Sequence, residues 1–106
     1  MAWLLLLLAG CFEVGMALSL KESAGFSKLT PTLLFLVLGV TSFALLSMAL
    51  RTLPVGTAYA VWTGIGAAGT AVLGMLILNE SRDLARLGGI ILIISGVALL
   101  RLAGGE

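Results

Sequence analysis

The chain alternates between long apolar segments and short polar ones. Four segments are almost free of charge: residues 2–20, 32–50, 55–78 and 84–100. Each is close to the ~20 residues that an α-helix needs to cross the hydrocarbon core of a bilayer. None shows the strict alternation of apolar and polar residues that is typical of membrane β-strands. The pattern predicts an all-α membrane protein with four transmembrane helices in one domain, residues 1–106.

The polar segments between them predict the loops, which read KESAGFSKLTP, RTLP and NESRD. Pro31 and Pro54 are expected in the first turns of the second and third helices, where a residue without an N–H costs little. Arg86, near the start of the fourth segment, is expected to extend its guanidinium to the membrane interface. Almost nothing is left outside the membrane.

Basic residues give a weak signal for orientation. Those in or beside the first and third loops outnumber those at the other end by four to two: Lys21, Lys28, Arg82 and Arg86 against Arg51 and Arg101. Because basic residues favour cytoplasmic loops, the first and third loops are expected there. So small a bias also allows insertion in both orientations.

Composition narrows the class of function. Only 10% of the 106 residues are charged and the mean hydropathy is +1.21, whereas soluble domains carry about 25% charged residues. The net charge of +1 offers no basic surface to nucleic acid. Histidine is absent, Cys11 is the only cysteine, and no phosphate-binding G-x-x-x-x-G-K-[ST] motif occurs. We therefore expect no enzyme activity, no metal and no cofactor, and any transport against a gradient must draw on an ion gradient.

One carboxylate, Glu13, interrupts the first segment. It lies two residues from the centre of that segment, about 3 Å from the midplane at the helical rise of 1.5 Å per residue. Placing a carboxylate there costs on the order of 2.5–3.5 kcal/mol, and no Lys or Arg lies at a similar depth in any segment. Glu13 is therefore predicted to bind a proton, a cation or both; the structural alternative is a permanently protonated acid with one interhelical hydrogen bond.

Several residues are candidates to line a site around Glu13. Gly10 and Met16 lie three residues before and after it, on the same helix face. Ser42 is mid-span in the second segment, and Tyr59, Trp62 and Thr63 share one face of the third. Aromatic faces can hold a cation, and hydroxyls can orient a carboxylate. Anchoring at the membrane interface is the alternative for the aromatic residues, and it suits Trp3 best.

Glycines suggest two further features. A small-residue stripe on the fourth segment predicts a contact with a second chain, since small residues let helices approach closely in a membrane. The stripe consists of Gly89, Leu92, Ile93 and Gly96. Packing within one subunit is the alternative. In the third segment, Gly64 and Gly66 are candidates for a hinge, because neighbouring glycines lower the cost of a kink; a close-packed glycine face is the alternative there.

The chain resembles the small multidrug resistance family along essentially its whole length. The resemblance rests on AGCFEV around Glu13, GFSKLTP, SFALLSMAL, TLPVGTAYAVWTGIGAAGT and GIILIISGV. The stretch TLPVGTAYAVWTGIG is most similar to the guanidinium-exporter subtype.

This resemblance implies an antiparallel dimer in the bacterial inner membrane that exchanges protons for small cations such as guanidinium. It further implies that two copies of Glu13 share one site, that Ser42, Tyr59 and Trp62 line it, and that the third-helix kink differs between subunits. The fourth-helix stripe would form the dimer contact. The partners implied are the cation, protons, the lipid bilayer and a second copy or a homologous subunit.

Met16 departs from the subtype, which usually has tryptophan there. The change would enlarge the site for substituted guanidines, or a different partner chain would supply the aromatic ring. Broad export of quaternary or aromatic cations is the alternative within transport. A non-transport assembly subunit is the alternative outside it, and predicts that Glu13→Gln leaves function intact.

Overall fold

The structure is a computed structural model that describes residues 1–104 and contains four α-helices. They are α1 (Ala2–Glu22), α2 (Leu29–Ala49), α3 (Val55–Ile77) and α4 (Leu84–Gly104). Each is long and apolar enough to cross a membrane, and residues 1–104 contain no strand. The prediction of an all-α membrane protein with four transmembrane helices is confirmed.

The helix ends differ from the sequence pattern by a few residues. The second helix begins at Leu29, so Pro31 is its third residue; the first four N–H groups of a helix have no intrahelical acceptor, and proline there costs no hydrogen bond. Pro54 was expected in the first turn of α3, but it is the residue immediately before that helix. The fourth helix continues to Gly104, beyond the predicted end at residue 100.

The helices are not packed equally. Helix α1 lies against both α2 and α3, whereas within residues 1–104 the backbone of α4 approaches only α3. Most of the large side chains of α4 are exposed, including Ile91, Leu92 and Leu99. In a bilayer these exposed apolar side chains face lipid or a second chain.

Two buried clusters hold the bundle together. The larger joins α1, α2, α3 and the second loop, and its residues are Leu6, Ala9, Leu46, Ala49, Leu53, Ala58, Val61 and Trp62. The smaller joins α3 to α4 through Ala68, Met75 and Ile90. The stretch of α3 between the two clusters, around Gly66, is where the acid of α1 meets this helix.

A side-chain contact joins the beginning of α1 to the end of α4. The guanidinium of Arg101 lies over the ring of Trp3, 4.8 Å from its centroid. Such a cation–π pair is favourable where one side of the aromatic ring is shielded from water. Trp3 therefore binds the last turn of α4 in addition to any role at the membrane interface.

Candidate functional site

Glu13 lies at the contact between α1 and α3. Its carboxylate packs directly onto the backbone of Gly66, where a Cβ atom would overlap the carboxylate. Its Oε1 atom is buried and accepts no hydrogen bond from any described residue. Leaving an ionised acid in this state is costly, so the site favours either a proton on the carboxylate or a cation beside it.

Small residues allow α1 and α3 to approach so closely. A methyl group built at Gly10 would lie 2.5 Å from Cγ2 of Ile65, and one built at Gly69 would lie 2.6 Å from Cγ2 of Val14. Gly10 is therefore not an open position next to the carboxylate, but a buried packing position that receives a side chain from α3. The glycines on both helices fix the depth at which the acid sits.

A chain of two hydrogen bonds joins three helices beside this contact. The indole Nε1–H of Trp62 donates to Ser42 Oγ at 2.9 Å, and the Ser42 hydroxyl donates to the carbonyl oxygen of Ala9 at 2.7 Å. In an α-helix that same carbonyl accepts the backbone N–H of Glu13, four residues on. Ser42 is completely buried and Trp62 nearly so. The arrangement holds the turn of α1 that carries the acid against α2 and α3.

Aromatic rings extend from Trp62 towards the outside of the bundle. The Tyr59 and Trp62 rings are 5.5 Å apart at 49°, and the Phe43 and Trp62 rings are 5.1 Å apart at 53°. Tyr59 is 55% exposed and Phe43 is 54% exposed, so both are free to contact something outside this chain. Phe43 was missed in the sequence analysis, although its position next to Ser42 is a signal that could have found it.

Met16 and Thr63 lie in different surroundings. The sulfur of Met16 faces the backbone of Gly39 on α2, 3.0 Å from where a Cβ would lie. A cavity of about 350 Å³ beside it is lined by Met16, Phe35, Leu36, Gly39, Val40 and Phe43. Thr63 is exposed on α3. Helical periodicity predicted that Tyr59, Trp62 and Thr63 share one face of α3, but helix packing buries only Trp62.

The candidate hinge glycines lie inside an uninterrupted helix. Residues Val55–Ile77 are helical throughout, and a methyl group built at Gly64 would lie 2.6 Å from Cγ2 of Val97 on α4. In this structure Gly64 and Gly66 therefore act as close-packing positions, each receiving a side chain from a different helix. A hinge at this point stays a prediction.

The stripe on α4 is largely open. Apart from the adjacent residues and the backbone of α4 itself, no described atom lies within 4 Å of a Cβ built at Gly89 or Gly96, and Leu92 is 74% exposed. Ile93 differs, since it reaches towards Gly64 of α3. The contact with a second chain stays a prediction, and most of the surface that it requires is accessible.

A larger apolar cavity, of about 570 Å³, separates α1 from α4 over the surface of α3. Cys11 and Val14 line it from α1, and Ile94 and Val97 line it from α4. Glu13 is not among its lining residues. Among residues 1–104, no three His, Cys, Asp or Glu side chains lie close enough to hold a metal ion.

Comparison with known proteins gives a consistent result. The family described as Small Multidrug Resistance protein matches residues 1–93. A guanidinium exporter of Yersinia pseudotuberculosis is 53% identical over 103 residues, which cover 97% of this chain and 99% of the relative. Guanidinium exporters of Salmonella typhimurium and Citrobacter freundii are each 52% identical, over 97% of this chain and 98% of the relative. These names describe transporters and not enzymes.

Proposed function

The chain belongs to the small multidrug resistance family, and we propose that it exports guanidinium-type small cations in exchange for protons, with Glu13 binding the two in competition. Four apolar helices and bacterial relatives support a place in a bacterial inner membrane. The proton gradient would supply the energy, without a cofactor.

The environment of Glu13 carries this proposal. A carboxylate oxygen is buried at mid-membrane depth without a hydrogen bond from the described residues, and no basic residue of the sequence lies at that depth. Unpaired intramembrane acids are expensive and generally functional. A proton neutralises the acid covalently and a cation neutralises it electrostatically, and a protonated acid no longer attracts the cation. Competition between the two ligands therefore follows from charge alone, and one site can exchange them across a membrane.

The names of several relatives, which are guanidinium exporters, support guanidinium as the substrate. Its planar fork of N–H donors fits carboxylate oxygens in pairs. Tyr59 adds an exposed ring beside the buried Trp62, and aromatic faces attract cations. Both features support a small planar cation next to Glu13.

An antiparallel dimer would complete the site. The open stripe around Gly89 and Gly96 offers a close-packing surface, and the small charge bias permits the two orientations. A second copy would bring a second Glu13 to the same cation. Gly96→Leu should convert the dimer to a monomer in detergent, measured by light scattering, while the matched Gly56→Leu at another open glycine should not. A dimer that survives Gly96→Leu would contradict this surface.

The central test is transport by the purified chain in proteoliposomes. With a pH gradient imposed, the unchanged chain should move guanidinium against its concentration, and Glu13→Gln should abolish both guanidinium binding and coupled transport. Glu22→Gln is the matched control, because it removes an exposed carboxylate from the end of the same helix. Transport that persists in Glu13→Gln would refute the proposal.

A second candidate substrate class is supported by the cavity beside Met16. This apolar space could receive a substituent carried by a guanidine, which favours substituted guanidines over the bare cation. Met16→Trp should fill the space and weaken binding of a phenyl-substituted guanidine more than binding of guanidinium. Equal effects on the two ligands would reject this candidate. If the chain is inactive alone but active with a homologous subunit, a heterodimer would be supported instead.

A further inference from the structure

The loop between α3 and α4 is held by charged contacts that the site around Glu13 does not use. Arg86 Nη2 lies 2.6 Å from Glu80 Oε1 and also donates to the carbonyl oxygen of Ala71 at 3.1 Å. Arg82 Nη2 donates to the carbonyl oxygen of Met75 at 2.8 Å. Arg86 was expected to extend to the membrane interface; it folds back onto the end of α3 instead.

The backbone at this end of α3 is shaped to receive the pair. The Glu80 carboxylate packs onto Gly74, where a Cβ atom would overlap it. Asn79 has φ = 55°, which turns the chain so that the Glu80 N–H bonds the Gly74 carbonyl oxygen at 3.1 Å. At the other side, the carboxylate of Asp83, the residue before α4, accepts the backbone N–H of Arg86 at 2.8 Å. Glu80 and Arg86 thus connect the last turns of one helix to the first turn of the next.

Elsewhere, α3 and α4 meet through apolar contacts that lack direction. The buried cluster of Ala68, Met75 and Ile90 lies next to the charged contacts, and Val97 packs onto Gly64 further along. Hydrogen bonds to an ionised group depend strongly on geometry and resist sliding. A methyl group that rests on a glycine makes only dispersion contacts, which have no preferred direction. The two helices are therefore joined by directional contacts at the loop end and by apolar contacts alone near Gly64.

We propose that Glu80 and Arg86 are positioning residues that join residues 68–77 of α3 to the first half of α4. The two segments then move as one body when the Glu13 site switches from one side of the membrane to the other. This rests on the proposed transport function and on a bend of α3 near Gly64 and Gly66. When α3 bends there, the ion pair carries the start of α4 with it, and slip occurs at Val97. Without the pair, α3 bends but the start of α4 does not move with it, and the site switches slowly between the two sides of the membrane.

The test separates guanidinium binding from turnover in the full-length chain. Glu80→Gln removes the charge of the acid but keeps its size, and should leave the guanidinium Kd and its pH dependence unchanged. Turnover in proteoliposomes at saturating guanidinium should fall by about tenfold, a change of about 1.4 kcal/mol in the barrier. Glu22→Gln, an exposed acid at the same end of the bundle, is the charge-matched control and should match the unchanged chain.

A second variant reaches the same contact from α3. Gly74→Ala places a methyl group where the Glu80 carboxylate lies and should give the same selective loss of turnover; Gly56→Ala, in open space on the same helix, is its control.

Normal turnover in both Glu80→Gln and Gly74→Ala overturns the inference. A parallel loss of binding and turnover also overturns it, because that marks a merely structural pair, and so does failure of both variants to fold. The proposed function is tested separately: guanidinium binding that survives Glu13→Gln would refute it, whatever Glu80→Gln does.

Discussion

The hydrogen-bond chain from Trp62 through Ser42 to Ala9 offers a sharp test of the site, through Ser42→Ala. The substitution removes only the hydroxyl group, which serves as acceptor at 2.9 Å and donor at 2.7 Å. The Ala9 carbonyl keeps its intrahelical partner, the N–H of Glu13. The indole N–H of Trp62 loses its acceptor while 95% of that residue is buried. The indole N–H left without an acceptor therefore accounts for most of the expected loss of stability.

The expected loss of unfolding free energy in Ser42→Ala follows from this one orphaned N–H group. A buried donor without a partner costs about 1–3 kcal/mol, and interhelical hydrogen bonds in membranes average about 0.6 kcal/mol with a maximum near 1.7 kcal/mol. Together these place the loss in unfolding free energy at about 1–2 kcal/mol. Thr41→Val is the matched control, because the Thr41 hydroxyl bonds only the Val37 carbonyl of its own helix; we expect a change close to zero there.

The assay is a double-mutant cycle in mixed detergent micelles, with the chain unfolded by added denaturing detergent. Ser42→Ala and Trp62→Phe are measured singly and together. Since both remove the same hydrogen bond, the double variant should lose less stability than the sum of the two single variants, by about the energy of that bond. Additivity within about 0.3–0.5 kcal/mol would show that the two side chains do not interact, and would refute the role assigned to this chain of bonds.

The remaining predictions concern close packing and protons. Gly66→Ala puts a methyl group into the space of the Glu13 carboxylate and should abolish guanidinium binding by calorimetry, whereas Gly56→Ala should bind normally; retained binding in Gly66→Ala would contradict the contact. Gly69→Ala should destabilise the bundle by about 1–3 kcal/mol through overlap with Val14, and adding Val14→Ala should restore stability in the same unfolding assay. Guanidinium affinity should fall as pH falls, because protons neutralise Glu13; a flat pH profile in the unchanged chain would argue against competition.

How much of the fold was predictable differs from helix to helix. The four spans follow from local composition, since a run of about 20 apolar residues bounded by polar ones is sufficient to predict a membrane-spanning helix. The same reasoning predicts the depth of Glu13. The faces of α1 and α2 could not be assigned in this way, because both helices are apolar all round and periodicity then carries no signal for the inside. Gly39, which meets Met16, was therefore missed.

The sequence by itself determined four membrane helices, short loops and one acid placed deep in the first span, because length, hydropathy and charge are properties of each segment alone. Only the tertiary structure decided that Glu13 rests on Gly66, that Ser42 bridges Ala9 and Trp62, and that Glu80 and Arg86 join α3 to α4. Each of these contacts depends on how helices are rotated and slid against one another. That geometry is set by which glycines receive which side chains across an interface, and no single segment contains it.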